Sequence, residues 1–310
     1  MTLEPRLRPI LAISNRARDD SATMPARRFA GALQARQLGR LVMPKGPDVP
    51  IREVMVPVHG GAIRVRLYEP ASPGPKPLHV FLHGGGWCVG DIDSRDPRCR
   101  TVAAGAGCIV ASVDYRMAPE NAFPVPLEDC YAALAWLARS ADELGIDASR
   151  VSIGGESAGA NLATSVALLA RDRGGPSLMF QWLDVPAVDL TMTLPSIDRL
   201  GTGYGLTKTD MEAYIAAYLR DHDRKDPYAS PLYAAELGGL PPALVATAEY
   251  DPLTDEGHAY VARLRQADVE VEHHHLPGLV HASFAFTRLL PVAKEYEQTA
   301  VAALRRAYGN

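Results

Sequence analysis

Val151-Ser-Ile-Gly-Gly-Glu-Ser-Ala-Gly-Ala-Asn161 decides how this chain is read. The stretch opens with a short β-forming run, Val151 to Ile153, and turns through Gly154 and Gly155 to Ser157. It leaves through Ala158, Gly159 and Ala160 into the apolar, helix-forming run Leu162 to Ala170. Gly155-Glu156-Ser157-Ala158-Gly159 has the form G-x-S-x-G, in the strand–turn–helix setting that gives this pattern meaning. A serine hydroxyl is a poor nucleophile unless it is presented bare, next to a base and beside hydrogen-bond donors. A sharp turn does the presenting, and glycine on each side removes the Cβ atoms that would clash there. Alone the pattern is weak, because a chain with 26 glycines can hold such a turn for structural reasons only. Its weight depends on partners elsewhere.

Those partners are a base, a group that orients the base, and donors for an oxyanion. Where G-x-S-x-G presents a nucleophile, they follow the serine in the order acid, then histidine. The best acid is Asp251, which follows the apolar run Ala243-Leu-Val-Ala-Thr-Ala248 and so falls at the C-terminal edge of a strand, where open sheets bind ligands. Asp255 is the nearest rival, but it lies about one turn into the next helix and suits the stabilisation of that helix start. The best histidine is His281, in Pro277-Gly-Leu-Val-His-Ala282. His83-Gly84-Gly85-Gly86-Trp87 supplies a loop whose backbone N–H groups can face a pocket without side chains in the way. Gly84 and Gly85 N–H are the expected oxyanion donors, joined by Ala158 N–H, with His83 and Gly86 supporting the loop. A phosphate-binding turn is the alternative for these glycines, but the spacing is not G-x-G-x-x-G and no lysine accompanies it.

Composition sets the outer bounds. The chain has 310 residues, 47% hydrophobic and 22% charged, with a formal net charge of −4. These are ordinary globular values. The charge and the lack of a basic run argue against nucleic acid as a partner. The four cysteines, at 88, 99, 108 and 130, form no C-x-x-C pair, so a zinc site is not expected. The N-terminus is broken by Pro5 and Pro9 and does not read as a signal peptide, which points to reduced thiols and a cytoplasmic location. No apolar run approaches the roughly 18 residues of a membrane span.

Along the chain, residues 1–45 read as a helical segment. Phe29, Leu33 and Leu41 share one stripe, and Arg27, Arg28, Arg36 and Arg40 populate the other faces. A hairpin is expected over about 51–58 and 62–69, then strands at 78–82, 108–115, 151–155, 178–184, 243–248 and 269–276. Helices begin at Pro124, follow Ser157, span about 254–267 and close the chain. Alternation of strand and helix predicts an α/β fold, a mostly parallel sheet covered on both faces. Residues 186–226 break that rhythm and read as an insertion with one helix, Thr209 to Arg220. In His273-His274-His275 only the outer two share a strand face, so surface histidines are expected there and no metal.

The sequence resembles the hormone-sensitive-lipase-like esterases, also called bacterial family IV, of the α/β-hydrolase superfamily. The pieces that carry the resemblance are His83-Gly-Gly-Gly-Trp87, Asp114-Tyr-Arg-Met-Ala-Pro-Glu120, Phe123-Pro-Val-Pro-Leu-Glu-Asp129, Gly155-Glu-Ser-Ala-Gly159, Asp251-Pro-Leu-Thr-Asp-Glu-Gly257 and Pro277-Gly-Leu-Val-His281, over about 80–285. The resemblance implies a catalytic domain over 46–310 and a cap built from residues 1–45 and the insertion 186–226. It implies hydrolysis of short- to medium-chain acyl esters without cofactor or metal, with Ser157 as nucleophile, His281 as base and Asp251 as its orienter. Relatives are often homodimers.

Two positions depart from the family. Glu156 stands where many relatives carry Asp, with a supporting or surface role expected. Asp184 stands where relatives often carry an aromatic, and is expected to make the pocket wall more polar. Trp87 either lines the pocket or packs beneath it. Asp114, Arg116 and Glu128 are expected to brace the loops under the site. An amidase or deacetylase on the same residues is the alternative reaction. A non-catalytic ligand-binding homologue is the alternative class, disfavoured because all three candidates are present.

Overall fold

The computed structural model describes residues 2–16, 21–28, 30, 39 and 41–309. An eight-stranded sheet runs through it: β1 (Ile51–Val58), β2 (Gly61–Tyr68), β3 (Lys76–Leu82), β4 (Ile109–Asp114), β5 (Ile146–Glu156), β6 (Phe180–Asp184), β7 (Ala243–Tyr250) and β8 (Val271–Val280). Their order is β1-β2-β4-β3-β5-β6-β7-β8. The hairpin β1–β2 and the pair β2–β4 are antiparallel, and every later pair is parallel. The hydrophobic pattern accounts for the arrangement. Central β3, β4 and β6 are mainly apolar and buried along almost their whole length, on both faces, whereas edge strand β1 alternates exposed and covered residues.

Helices α1 (Leu7–Arg16), α2 (Asp96–Ala106), α3 (Val125–Arg139), α4 (Ala158–Asp172), α5 (Pro195–Leu200), α6 (Lys208–Leu219), α7 (Thr254–Gln266) and α8 (Pro291–Ala307) cover the sheet. The core divides in two, one half on each face. Leu127 and Leu134 of α3, Leu162 and Val166 of α4, and Tyr260 and Leu264 of α7 join one half. Leu7 and Leu11 of α1, Cys99 and Val102 of α2, and Tyr296 and Leu304 of α8 join the other. All four cysteines are buried and unpaired. Among the described residues no helix is long and apolar enough to cross a membrane.

β8 runs four residues beyond the expected end at Leu276, through Pro277 and Gly278 to Val280. Proline lacks a ladder donor, but β8 is an edge strand, and an outward-facing proline costs no inter-strand bond there. The extension matters, because Tyr250 of β7 pairs with Val280 after a bulge, and Asp251 and His281 are therefore adjacent as the first residues beyond that pair.

Most of the expected N-terminal stripe, with Phe29, Leu33, Arg36 and Arg40, lies outside the described residues. What is described of this segment grips the body. Arg27 Nη1 pairs with Asp210 of α6 at 2.8 Å, and the Arg28 guanidinium donates to Glu120 and to the carbonyls of Cys88 and Ala118. Residues 186–226 hold two helices, where one was expected; α5 is six residues long and too short to show a helical period in the sequence. Its partner α6 starts with a capping box in which Thr207 and Asp210 satisfy each other's backbone N–H groups.

Candidate active site

Register brings the sequence candidates to one edge. Leu82 pairs with Gly155, and Glu156 pairs with Asp184, so the chain leaving β3 into His83–Trp87 passes beside Ser157. Ser157 itself has φ 55° and ψ −121°, a conformation costly for a side chain with a Cβ. The turn around it has no spare room. A Cβ on Gly155 would come within 2.5 Å of Gly159 backbone, and one on Gly159 within 2.1 Å of the Leu82 carbonyl. Both glycines of the G-x-S-x-G pattern are thus demanded by close backbone approach.

The serine hydroxyl donates to His281 Nε2 at 2.8 Å, and His281 Nδ1 donates to Asp251 Oδ2 at 2.7 Å. Asp251 is buried, and its other oxygen accepts the Leu253 N–H at 2.9 Å. Asp255, the rival acid, points elsewhere: it accepts the Ser196 N–H at 2.8 Å and pairs with Arg199 at 3.1 Å, fastening α5 to α7.

Ser157 and His281 open into a pocket of about 400 Å³. Gly84 to Gly86 and Ala158 line it, together with Leu206, Met211, Tyr214 and Ile215. Among the described residues, the N–H groups of Gly85, Gly86 and Ala158 donate to no protein acceptor. Gly84 packs against Glu156, its Cβ position 3.3 Å from Oε1, and its backbone favours the charged carboxylate. His83 is fully buried, stacks on Tyr115 with ring centroids 4.4 Å apart, and hydrogen-bonds the Gly84 carbonyl through Nδ1 at 2.9 Å. Burial drives its pKa below the usual histidine range, so it stays neutral. Trp87 both lines the pocket and packs: it stacks on Tyr218 at 4.4 Å and donates Nε1–H to Asn161 at 3.2 Å.

Two supporting residues, Asp184 and Glu128, differ from expectation, and a third, Glu156, takes the supporting one of its two expected roles. Glu156 is 2% exposed and bound by Arg95 and Arg98, which excludes a surface role. Burial opposes its charge, but the two arginines and the Gly84 backbone outweigh that and hold its carboxyl below the usual range. Asp184 does not line the pocket. Its carboxylate turns away and accepts from Arg98, Tyr296 and Trp182, because a buried carboxylate needs donors that an apolar wall cannot provide. Burial pushes its pKa up, with Arg98 and the hydrogen bonds opposing. Glu128 pairs with exposed Arg173 rather than bracing a loop under the site. That task falls to its neighbour Asp129, which takes the Arg116 guanidinium and backbone N–H. Arg95, Arg98 and Tyr296 went unremarked in the sequence, where nothing marks an arginine that folds inward.

The arrangement can add a hydroxyl to a carbonyl, hold the resulting oxyanion and pass a proton to a leaving group. A sequence profile described as the alpha/beta hydrolase fold matches residues 79–285. The carboxylic ester hydrolase LipN of Mycobacterium tuberculosis is 40% identical over 287 residues, 90% of this chain and 76% of the relative. Carboxylesterase NlhH of the same organism is 41% identical over 267 residues, 84% of each chain. Among solved structures, a hyperthermophilic esterase from Pyrobaculum calidifontis superposes with a TM-score of 0.94 at 35% identity, covering 99% of both chains.

Proposed function

The chain belongs to the hormone-sensitive-lipase-like esterases of the α/β hydrolase superfamily and is a carboxylic-ester hydrolase; on that premise we propose that Ser157 forms an acyl-enzyme with short- to medium-chain esters. The observation that carries the reading is the unbroken hydrogen-bond line from Asp251 through His281 to Ser157, at 2.7 and 2.8 Å, ending at the pocket. Ser157 Oγ attacks the ester carbonyl as His281 Nε2 takes its proton. Asp251 holds the imidazole tautomer and stabilises the imidazolium. His281 then gives the proton to the departing alkoxide, and a water deprotonated by His281 releases the acid.

For the oxyanion we propose Gly85, Gly86 and Ala158 N–H as donors. This moves the glycine pair one residue along from Gly84 and Gly85, since Gly84 packs against Glu156, its Cβ position 2.8 Å from the Glu156 carbonyl oxygen. In the same proposal, the N-terminal segment and residues 186–226 act together as a cap, supported by the Arg27–Asp210 pair and the pocket-lining face of α6. A pocket of about 400 Å³ lies near the small end for ligand sites, which supports a compact ester. The unpaired buried thiols support a reducing, cytoplasmic compartment.

A fluorophosphonate should label Ser157, and a p-nitrophenyl acyl series should show kcat/KM highest at short to medium chains. Absence of label, or a rate that keeps rising with long chains, would overturn the reading. Turnover of the matching anilide as fast as the ester would replace it with an amidase.

A further inference from the structure

Ser157 directly follows one strand end and lies beside a second, and both strands finish in a buried carboxylate. Glu156 ends β5, Asp184 ends β6, and the two are register partners. Glu156 packs against the glycine loop, since a Cβ on Gly84 would lie 2.8 Å from its carbonyl oxygen and 3.3 Å from Oε1. The Asp184 carbonyl accepts the Ser157 N–H at 2.8 Å. These two acids therefore adjoin the nucleophile and touch the backbone that presents it.

One cation reaches both. Arg98 of α2 is 4% exposed; its guanidinium donates to Asp184 Oδ2 and lies 3.4 Å from Glu156 Oε2. Its face lies 5.1 Å from the Trp182 ring and 4.8 Å from the Phe284 ring, and Phe284 lines the pocket three residues after His281. Arg98 does not line that pocket. A buried ion network of this kind is a poor way to gain stability, because packed apolar side chains do as well or better. Its cost is consistent with a role in the site.

Resting on the reading of Ser157 as nucleophile, we propose that Arg98 is a positioning residue for the reaction: from behind the sheet edge it ties together the two strand ends next to Ser157, through Glu156 and Asp184. It steadies the Gly84 loop through Glu156, the Ser157 peptide through Asp184 and the His281 loop through Phe284. Without it Asp184 keeps only Trp182 and Tyr296 as donors and Glu156 keeps only Arg95 of its two arginines, β5 and β6 lose their shared tie at the tips, and the donors move off the oxyanion.

The test compares Arg98→Met, Arg98→Met/Asp184→Asn, Arg98→Lys and Ser157→Ala on a p-nitrophenyl ester. Active sites are counted by fluorophosphonate labelling, so that rates refer to folded enzyme. Arg98→Met should lower kcat about 100-fold with KM within about 3-fold, the signature of a displaced reacting geometry. Removing the stranded charge with Asp184→Asn should recover about 10-fold in kcat. Wild-type kcat per labelled site in Arg98→Met, or no recovery in the double variant, would overturn the proposal. Should Arg98→Met fail to fold, Arg98→Lys decides, because a lysine cannot span both acids: about 10-fold lower kcat supports the proposal and an unchanged kcat refutes it. Turnover surviving in Ser157→Ala would remove the underlying reading instead; an inactive Ser157→Ala beside an unaffected Arg98→Met removes only the role of Arg98.

Discussion

Ser157 and Thr247 each set a hydroxyl against imidazole, and of these two only Ser157 has the makings of an active site. At the sheet edge, Ser157 meets His281 at 2.8 Å. Nearer the middle of β7, Thr247 meets three rings: His273 and His275 of β8 at 3.0 Å each, and His258 of α7 at 3.2 Å. The third ring comes from a helix, which explains why the sequence showed only two histidines on one face. Among the described residues no carboxylate hydrogen-bonds these three rings, and no group of His, Cys, Asp or Glu has the geometry to hold a metal. Thr247 is buried within a regular strand, while Ser157 is lifted out of the ladder by its positive φ. Hydroxyl–histidine contact is therefore cheap. Chemistry needs the strained presentation, the acid behind the ring, the free donors and the pocket, all of which Ser157 has and Thr247 lacks.

The comparison can be broken most directly at the hydroxyls. Ser157→Ala should lower kcat by about 10⁶-fold, with thermal stability nearly unchanged, whereas Thr247→Val should leave kcat within about 2-fold. Comparable losses in both would mean that the histidine cluster takes part in turnover. Next in size is the acid. Asp251→Asn should cost about 10⁴-fold in kcat through the wrong imidazole tautomer, and a loss under 10-fold would reassign the orienter. Gly159→Ala should follow: its Cβ has no room against the Leu82 carbonyl, so the turn must distort. About 1–3 kcal/mol of stability should be lost, together with activity, read by denaturant melts and kcat.

The smallest effect belongs to the cluster itself. His273 titrates at about 4, depressed first by burial, then by the charges of His258, Arg265, His275 and His274. His258 is lowered too, by burial, then His275, against Asp255. The fold prefers neutral rings, so the unfolded chain takes up protons first. The stability in question is complete above about pH 6.5 and lost as pH falls towards 4. Because these rings are partly exposed, solvent screening holds the loss to about 1 kcal/mol or less. His273→Gln should make the melting temperature less sensitive to pH between 7 and 4.5; an identical pH dependence in both proteins would show that the cluster carries no acid lability.

Much of the site was legible because its demands are local. Ser157 announces itself through Gly155 and Gly159, whose missing side chains answer backbone contacts within a few residues or in the adjoining strand. Asp251 and His281 could be picked out because apolar strands point to them. Their adjacency is another matter: it comes from the Tyr250–Val280 pair and the bulge behind it, and a one-residue slip would have separated them. The second insertion helix, α5, was illegible for want of length.

Glu156 and Asp184 show the boundary most clearly. Their identities mark them as departures, yet local pattern leaves Glu156 a supporting or a surface role and puts Asp184 on the pocket wall. Both instead face Arg98, a residue that local pattern would leave in water. Hydrophobic periodicity, glycine steric demands and motif order are written in consecutive residues, so fold class, sheet edge and the three candidate side chains could be read from them. Which charges are buried together depends on strands and helices far apart in the chain, here α2 against β5 and β6. The energy of such a pairing depends on distance and desolvation, and both exist only once the chain has folded.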